Sequence, residues 1–338
     1  MVGSFASDGS HRRYSYVAVL VLMALGVVFP SAAGMLLGVP LAVGMVVLGV
    51  AHGACDQFVV PAHQPTGVAL RSWNYWWRFL LGYLGLAAAV GVLWWFWPAA
   101  TVAGFFLLTV WHWGSADAPT GTQVSAGEWL THSLMRGLLI FAVPAWCRAA
   151  ETMGLVNELL AFVGAAPVRT PLFQTITTVL MLLVVAGHVV LWALYAKRAQ
   201  LALLKTDLLE VLLLCLLFAA LPARLSVAVY FVFWHSLQHI LRVNDWLGYA
   251  TTTQRRAHRV ELLAQLVFFL RRAAPLLLIS CAALLVLGRV LSPRLSDGTA
   301  WFSLALVVAS VVTLPHAVLV TSVMDASRLK GLGLKLWQ

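Results

Sequence analysis

The amino-acid sequence predicts an all-α protein, a polytopic transmembrane helical bundle of about ten (eight to ten) spans. Hydrophobic residues make up 62% of the 338 residues, charged residues make up 10%, and the mean hydropathy is +0.90. Apolar runs of roughly 20 residues, the length that a helix needs to cross a bilayer, recur from residue 15 onwards. Because backbone groups inside a bilayer must be satisfied internally, helices are the expected spanning element. Residues 1–338 are therefore predicted to form a single integral-membrane domain.

Prolines and polar residues separate the apolar runs. Residues 1–14 form a polar N-terminal tail, and the first run lacks a small-residue cleavage site, so we interpret it as an uncleaved span. Pro144 and Pro315 fall inside runs and should kink them. Residues 148–171 are predicted to form a loop or an interfacial helix. The predicted spans are 15–34, 36–54, 79–97, 99–114, 129–147, 172–195, 206–222, 225–243, 273–291 and 299–321.

Basic residues indicate how the bundle is oriented. The segment 244–272 mixes basic and apolar residues and is predicted to lie along the membrane surface. With ten spans and an inner N-terminus, Lys and Arg in the inner loops outnumber those in the outer loops by about three to one. This is the direction of the positive-inside rule, so both termini are predicted to be cytoplasmic, in the cell (inner) membrane.

Two classes of protein are excluded by the charge and the cysteines. The net charge is +10, but the basic residues lie in short loops between apolar runs, so nucleic acid is not expected as a partner. The lipid bilayer is the expected partner instead. The 4 cysteines are scattered without C-x-x-C spacing, which argues against a disulfide framework or a thiolate metal site.

Two histidines four residues apart lie in the apolar run from Tyr230 to Arg242. Residues i and i+4 of an α-helix share one face, about 6 Å apart, so His235 and His239 could hold one metal ion. Histidine is costly in an apolar helix unless it has a partner. The pair alone leaves two explanations open, metal binding or core histidines hydrogen-bonded to neighbouring helices.

The predicted topology brings other histidines to the depth of this pair. His52 ends the second span, His112 ends the fourth, and His316 lies in the inner half of the tenth, as His235 and His239 do in the eighth. All five occupy even-numbered spans that run from outside to inside, so all five are predicted near one leaflet. A random scatter of core histidines would not favour one leaflet, whereas a buried metal site requires such convergence.

Acidic residues accompany the first two of these histidines. Asp56 follows His52 by four residues and could accept a hydrogen bond from a ligating histidine, either His52 or one across the bundle. Asp117 follows His112 by five residues, about 140° away on a continuous helix. Asp117 therefore serves the site only if Gly114 ends the helix. For both acids, a polar helix end is the alternative explanation.

A set of histidine ligands carries no negative charge, and this limits the metal. Neutral imidazole suits iron, copper, nickel and zinc, but zinc brings no redox chemistry. Four neutral histidines that leave open positions suit Fe(2+) that must bind O2. The apolar bundle favours an apolar substrate from the lipid, and 15 Trp, 16 Phe and 7 Tyr offer flat surfaces for a polyene channel.

Four motifs resemble, in order, those of the Brp/Blh family of integral-membrane β-carotene 15,15′-dioxygenases. The resemblance covers most of the chain, from about residue 45 to about residue 325. Each motif alone is weak, but the ordered set is specific. The motifs are His52-Gly53-Ala-Cys-Asp56, Trp111-His112-Trp113-Gly114-Ser-Ala-Asp117, Trp234-His235-Ser236-Leu-Gln-His239 and Leu314-Pro315-His316.

The resemblance implies an enzyme that splits the central double bond of β-carotene with O2 into two all-trans-retinal molecules, often for a retinal-binding rhodopsin. Asp56 and Asp117 match acidic positions that accompany the ligands. His316 follows Pro315 and is expected to support the ligands from outside, with direct metal binding or lining of the site as the alternatives. The implied Fe(2+) ligands, which are also the catalytic residues, are His52, His112, His235 and His239.

Other functions stay open at this point. A two-iron membrane desaturase or hydroxylase would use dense clusters such as HxxHH, whereas this chain has one HxxxH pair. A haem cytochrome would use histidines on facing spans. A non-enzymatic carotenoid or retinal carrier that serves a rhodopsin is the alternative from a different class.

Overall fold

The computed structural model describes residues 8–62, 73–119, 124–247, 249, 261–291 and 298–333, and this part of the chain contains helices and no strand. The all-α prediction is confirmed. Met45–Val50 and Tyr230–Ser236 are π-helical, and Ala51–Gly53 is a 3-10 turn. The α-helices are α1 (Asp8–Val28), α2 (Ala33–Gly44), α3 (Asp56–Ala62), α4 (Trp73–Phe96), α5 (Pro98–Asp117), α6 (Ala126–Cys147), α7 (Ala149–Phe162), α8 (Thr170–Lys197), α9 (Leu201–Ala220), α10 (Ala223–Val229), α11 (Leu237–Trp246), α12 (Glu261–Leu291), α13 (Gly298–Val323) and α14 (Ala326–Gly331).

Each predicted span overlaps a helix or a helix that continues through a π-helical segment, but the first, 15–34, runs past the end of α1 at Val28 into the start of α2. The run predicted at 36–54 is α2 followed by the first π-helical segment and the 3-10 turn. The run predicted at 225–243 is α10, the second π-helical segment and α11 in succession. Pro144 and Pro315 lie inside α6 and α13, as expected. The region 148–171 contains a helix, α7.

Five helices are long and apolar enough to cross a membrane, judged by length and composition over the described residues. The predicted count of about ten spans is not confirmed. Some other runs are too interrupted, since π-helical segments divide two of them, and α9 carries Lys205, Asp207 and Glu210. The five candidates are Trp73–Phe96, Ala126–Cys147, Thr170–Lys197, Leu262–Val286 and Ser303–Val323.

Two helices begin earlier than the apolar pattern indicates. Helix α1 begins at Asp8, so part of the polar tail 1–14 is helical, while residues 1–7 lie outside the described residues. Helix α12 begins at Glu261 and includes the last part of the segment 244–272. There Arg272 covers the Phe268 ring at 3.6 Å from its centroid. Residues 248 and 250–260 of that segment are not described, and its location on the membrane surface stays a prediction.

Helix α6 is the interior helix on which much of the bundle packs. It contacts α5, α7, α8 and α9. In its apolar stretch of 18 residues, 56% of the residues are buried, against 11–33% in the other candidate spans. It crosses α5 at two glycines. A Cβ added to Gly114 would lie 1.8 Å from the Ser133 carbonyl oxygen, and one added to Gly137 would lie 1.9 Å from the Val110 oxygen. Small residues permit this close backbone approach, which is common between membrane helices.

Candidate metal centre

Five histidine rings meet in the interior of the bundle. The ring centroids of His52 lie 6.5, 5.5, 5.4 and 4.8 Å from those of His112, His235, His239 and His316, respectively. All of these rings are buried except that of His52, which is half-buried. The convergence of rings that the sequence predicted is therefore present.

The two π-helical segments lie beside the cluster and contact each other. The segment Met45–Val50 precedes His52, and the segment Tyr230–Ser236 contains His235. A Cβ on Gly49 would lie 2.7 Å from the Phe231 ring, so the absence of a side chain at Gly49 allows the segments to approach. Single π turns inside α-helices occur frequently at functional sites. Here each one sets the direction in which a histidine enters the cluster.

The pair in the eighth predicted span has the expected arrangement. The rings of His235 and His239 are nearly parallel, with centroids 6.3 Å apart and an interplanar angle of 20°. His112 reaches the same space from α5, with its centroid 5.1 Å from that of His235 and 6.2 Å from that of His239. Two separate stretches of chain thus contribute three rings.

Hydrogen bonds fix two of the five rings. Nδ1 of His52 is hydrogen-bonded to the Gly49 carbonyl oxygen in the π-helical segment. Nδ1 of His316 lies 2.9 and 2.8 Å from the two carboxylate oxygens of Asp56. If Nδ1 is the donor in both contacts, Nε2 of each ring carries the lone pair, because the first hydrogen bond sets the tautomer. Asp56 therefore holds a histidine across the bundle, the second of its two expected partners.

The other ring nitrogens are unusual for buried polar atoms. Among the described protein groups, no hydrogen-bond partner exists for either nitrogen of His112, His235 and His239, or for Nε2 of His316. Most buried side-chain polar atoms have a partner, and leaving one unsatisfied costs about 1–3 kcal/mol. Seven such atoms in one cluster are hard to explain by core packing. A metal ion would accept the lone pairs of several of them at once.

The spacing of the nitrogens also fits a metal ion. Ligand atoms of His52, His112 and His235 lie within 4.8 Å of one another. Two nitrogens on opposite sides of an ion are about 4.2 Å apart, given a metal–nitrogen bond of about 2.1 Å. The observed limit of 4.8 Å is close to this span, so the three nitrogens surround a space of the size of one ion. The donor set is imidazole, which suits iron, copper, nickel or zinc.

Among the described residues, the Asp117 carboxylate forms its hydrogen bonds with side chains outside this histidine cluster. Helix α5 continues past Gly114 to Asp117, so the condition under which Asp117 would serve the site is not met. Its carboxylate accepts hydrogen bonds from Trp234 Nε1 at 3.0 Å and from the Tyr230 hydroxyl at 3.3 Å. Asp117 therefore holds the helix that carries His235 in place, and it does so through the preceding residue, Trp234.

Another buried histidine, His132, belongs to a separate polar network. His132 lies 3.1 Å from the Tyr195 hydroxyl, and its other nitrogen lies 3.4 Å from Asp207. Arg136, fully buried on α6, pairs with both Asp207 and Glu210. This network joins α6, α8 and α9 and supplies partners for His132 within the bundle, so this histidine has a structural explanation.

Aromatic side chains form one wall of the cluster. The Trp113 centroid lies 5.5 Å from that of His235 and 5.7 Å from that of Phe231. Phe231 in turn stacks on His235 at 6.1 Å and meets His52 edge-on at 5.9 Å. These side chains exclude water from one side of the rings and offer flat apolar surface beside them. Tyr83 on α4, which the sequence did not single out, donates a hydrogen bond to Asp56 at 3.1 Å.

Comparison with known proteins identifies the family. A family model described as "Beta-carotene 15,15'-dioxygenase" matches residues 43–325, a range that contains all five histidines. The chain belongs to the β-carotene 15,15′-dioxygenase family. A relative from Halobacterium salinarum, described as "Probable beta-carotene 15,15'-dioxygenase Blh", is 28% identical over 300 residues, which cover 83% of each chain. No solved structure matches the chain.

Membership of the β-carotene 15,15′-dioxygenase family confirms the resemblance that the four motifs indicated. The family and the relative's name support dioxygenase chemistry on a carotenoid. The identity of the metal and the roles of individual histidines stay predictions.

Proposed function

We propose that this protein is an iron-dependent β-carotene 15,15′-dioxygenase of the cell (inner) membrane. The single observation that carries the proposal is the cluster of five histidine rings in which seven buried nitrogens have no partner among the described protein groups, in a chain of this family. The proposed Fe(2+) ligands and catalytic residues are His52, His112, His235 and His239.

The reaction breaks the central double bond of β-carotene and gives each of the two carbons one oxygen atom of O2. The products are two aldehydes, two molecules of all-trans-retinal, and the reaction consumes no further electrons or protons. Bound Fe(2+) would supply the activation of O2, which zinc could not supply because it has no redox chemistry. Neither an external reductant nor a proton donor is required.

The residues of the chain would contribute placement. A polyene has many chemically similar double bonds, so selecting one requires a surface that sets the register of the substrate. Trp113 and Phe231 provide flat faces beside His235, and His52 is the half-buried ring of the cluster. We propose that the polyene lies along this aromatic wall, on the side of His52. Its apolar character would favour entry from the lipid bilayer.

Retinal formation in a β-carotene-producing cell tests the proposal. Expression of the wild-type protein should remove the orange colour and yield two molecules of retinal for each β-carotene lost. His235→Ala should abolish retinal formation while the protein still accumulates in the membrane. The matched control is His188→Ala, because His188 is also buried but bonds the Val184 carbonyl oxygen at 2.8 Å, outside the cluster.

Two results would refute the proposal. Unchanged turnover in His235→Ala would exclude the ligand assignment. Persistent colour with pigment bound to the purified wild-type protein would instead indicate a carotenoid or retinal carrier.

The proposal also includes a functional link to a retinal-binding rhodopsin and a cytoplasmic location for both termini. Reporter fusions at each terminus test the orientation.

A further inference from the structure

We infer that His316 is a fifth histidine donor to the metal, through Nε2, and that Asp56 and Tyr83 position it. This inference rests on the proposed function, since it concerns the same site. It departs from the sequence-based expectation, in which His316 supports four ligands from outside the cluster.

The His316 ring lies among the proposed ligands. Its centroid is 4.8 Å from that of His52, 4.8 Å from that of His112 and 5.1 Å from that of His239. These distances are shorter than those between several of the proposed ligands, such as 6.5 Å between His52 and His112. The ring planes meet at 81°, 81° and 73°, so the rings approach edge to face and do not stack. By ring position, His316 is therefore a member of the cluster.

The hydrogen bonds of His316 leave one nitrogen directed elsewhere. Nδ1 contacts both carboxylate oxygens of Asp56, at 2.9 and 2.8 Å. Nε2 is buried and has no partner among the described protein groups. A carboxylate on the far nitrogen of a metal-binding histidine is a recurrent arrangement, because it fixes the ring and raises the basicity of the ligating nitrogen. Asp56 and His316 have that relationship.

Tyr83 holds the carboxylate in turn. Its hydroxyl donates to Asp56 Oδ2 at 3.1 Å from α4, while Asp56 is the first residue of α3 and His316 lies on α13. Three helices therefore fix one imidazole. Asp56 also brings a negative charge one ring away from a cation that neutral histidines alone would leave uncompensated.

The competing explanation is a structural ion pair between protonated His316 and Asp56, with no contact to a metal. In that case Nε2 would carry a proton, and removal of the ring would change the stability of the protein but not its affinity for a metal. Metal affinity, measured without reference to turnover, separates the two explanations.

The experiment uses full-length protein in detergent with Co2+ as the probe. Binding is measured by competition with a chromophoric chelator, and the number of ligands is followed by the visible absorption of Co2+. His316→Ala should lower the Co2+ affinity by at least about 100-fold and change the absorption spectrum, whereas Asp56→Asn should lower the affinity about 10–100-fold. Tyr83→Phe should have a smaller effect in the same direction, and the control His188→Ala should have none.

A second variant, purified in the presence of imidazole to fill the space of the missing ring, covers the case in which His316→Ala does not fold. His316→Gly leaves room for free imidazole, and added imidazole should restore Co2+ affinity and the wild-type spectrum if the ring is a ligand. Wild-type affinity and spectrum in His316→Ala, together with loss of binding in His235→Ala, would overturn this inference and leave the proposed function intact. Full Co2+ binding in both variants would overturn the proposed function as well.

Discussion

The α5–α6 crossing should be sensitive to one added methyl group. In Gly137→Ala the new Cβ would lie 1.9 Å from the Val110 carbonyl oxygen, whereas real contacts of this kind are not shorter than 3.0 Å. The obstacle is backbone, so the helices must separate locally by at least about 1 Å. Overpacking of this kind costs about 1–3 kcal/mol of stability. His112 lies two residues after Val110, and a displacement of about 1 Å can lower a catalytic rate about 100-fold.

Thermal unfolding in detergent and retinal formation at equal protein concentration measure the two effects. Gly127→Ala is a matched control, because Gly127 lies on the same helix and a Cβ there meets nothing within 4 Å. The control should be neutral or slightly stabilising, since alanine favours helix more than glycine does. If Gly137→Ala had the same unfolding temperature and turnover as Gly127→Ala, the crossing would not be as tight as described, and the reasoning would be refuted.

Three further predictions concern the charge network, a helix cap and the metal. Arg136→Met should lower the free energy of unfolding by about 3–5 kcal/mol, because Asp207 and Glu210 lose a buried partner. In a double-mutant cycle with Asp207→Asn, the double variant should lose less stability than the sum of the two single losses. A double variant whose loss equals that sum would contradict the prediction. Ser125→Ala should cost about 1 kcal/mol by removing the capping box with Glu128, without change in turnover per folded molecule. Treatment with a ferrous chelator should abolish retinal formation, which Fe2+ but not Zn2+ should restore; turnover that survives chelation would exclude the metal.

The helices were predictable because apolar runs of membrane length are long and strongly biased in composition. The run at 172–195 lies within α8, and both internal prolines lie where the pattern put them. The ends were less predictable. Helix α12 includes Arg271 and Arg272, which a hydropathy pattern assigns to a surface segment, although Arg272 covers the Phe268 ring. Long cationic side chains of this type can lie along apolar surface, so charge alone does not end a helix.

The convergence of the histidine rings was predictable from the sequence, but the contacts that hold them were not. The i and i+4 relation of His235 and His239 is local, and the convergence of the other histidines was expected from the predicted order of the spans. The contact between Asp56 and His316 joins residues 260 positions apart, and no local pattern specifies it. Tyr83 carried no signal beyond its place in an aromatic-rich helix. The role of Asp117 could not be predicted, because the direction of its side chain depended on whether α5 ended at Gly114. Helix α5 continues to Asp117.

The π-helical segments show why the direction of the histidines could not be derived from spacing. A π turn adds one residue to a helical turn and rotates everything that follows relative to what precedes. His52 follows one such segment and His235 lies within another, so an ideal helix drawn through either run would give the wrong relation between the two ends. Irregular backbone at membrane depth is tolerated where it is buried in protein. Both segments contact each other beside the rings, so the departure from regular helix and the candidate metal centre have one location. If either segment were a regular α-helix, we expect that one histidine side chain would point away from the cluster, although the sequence would contain the same histidines.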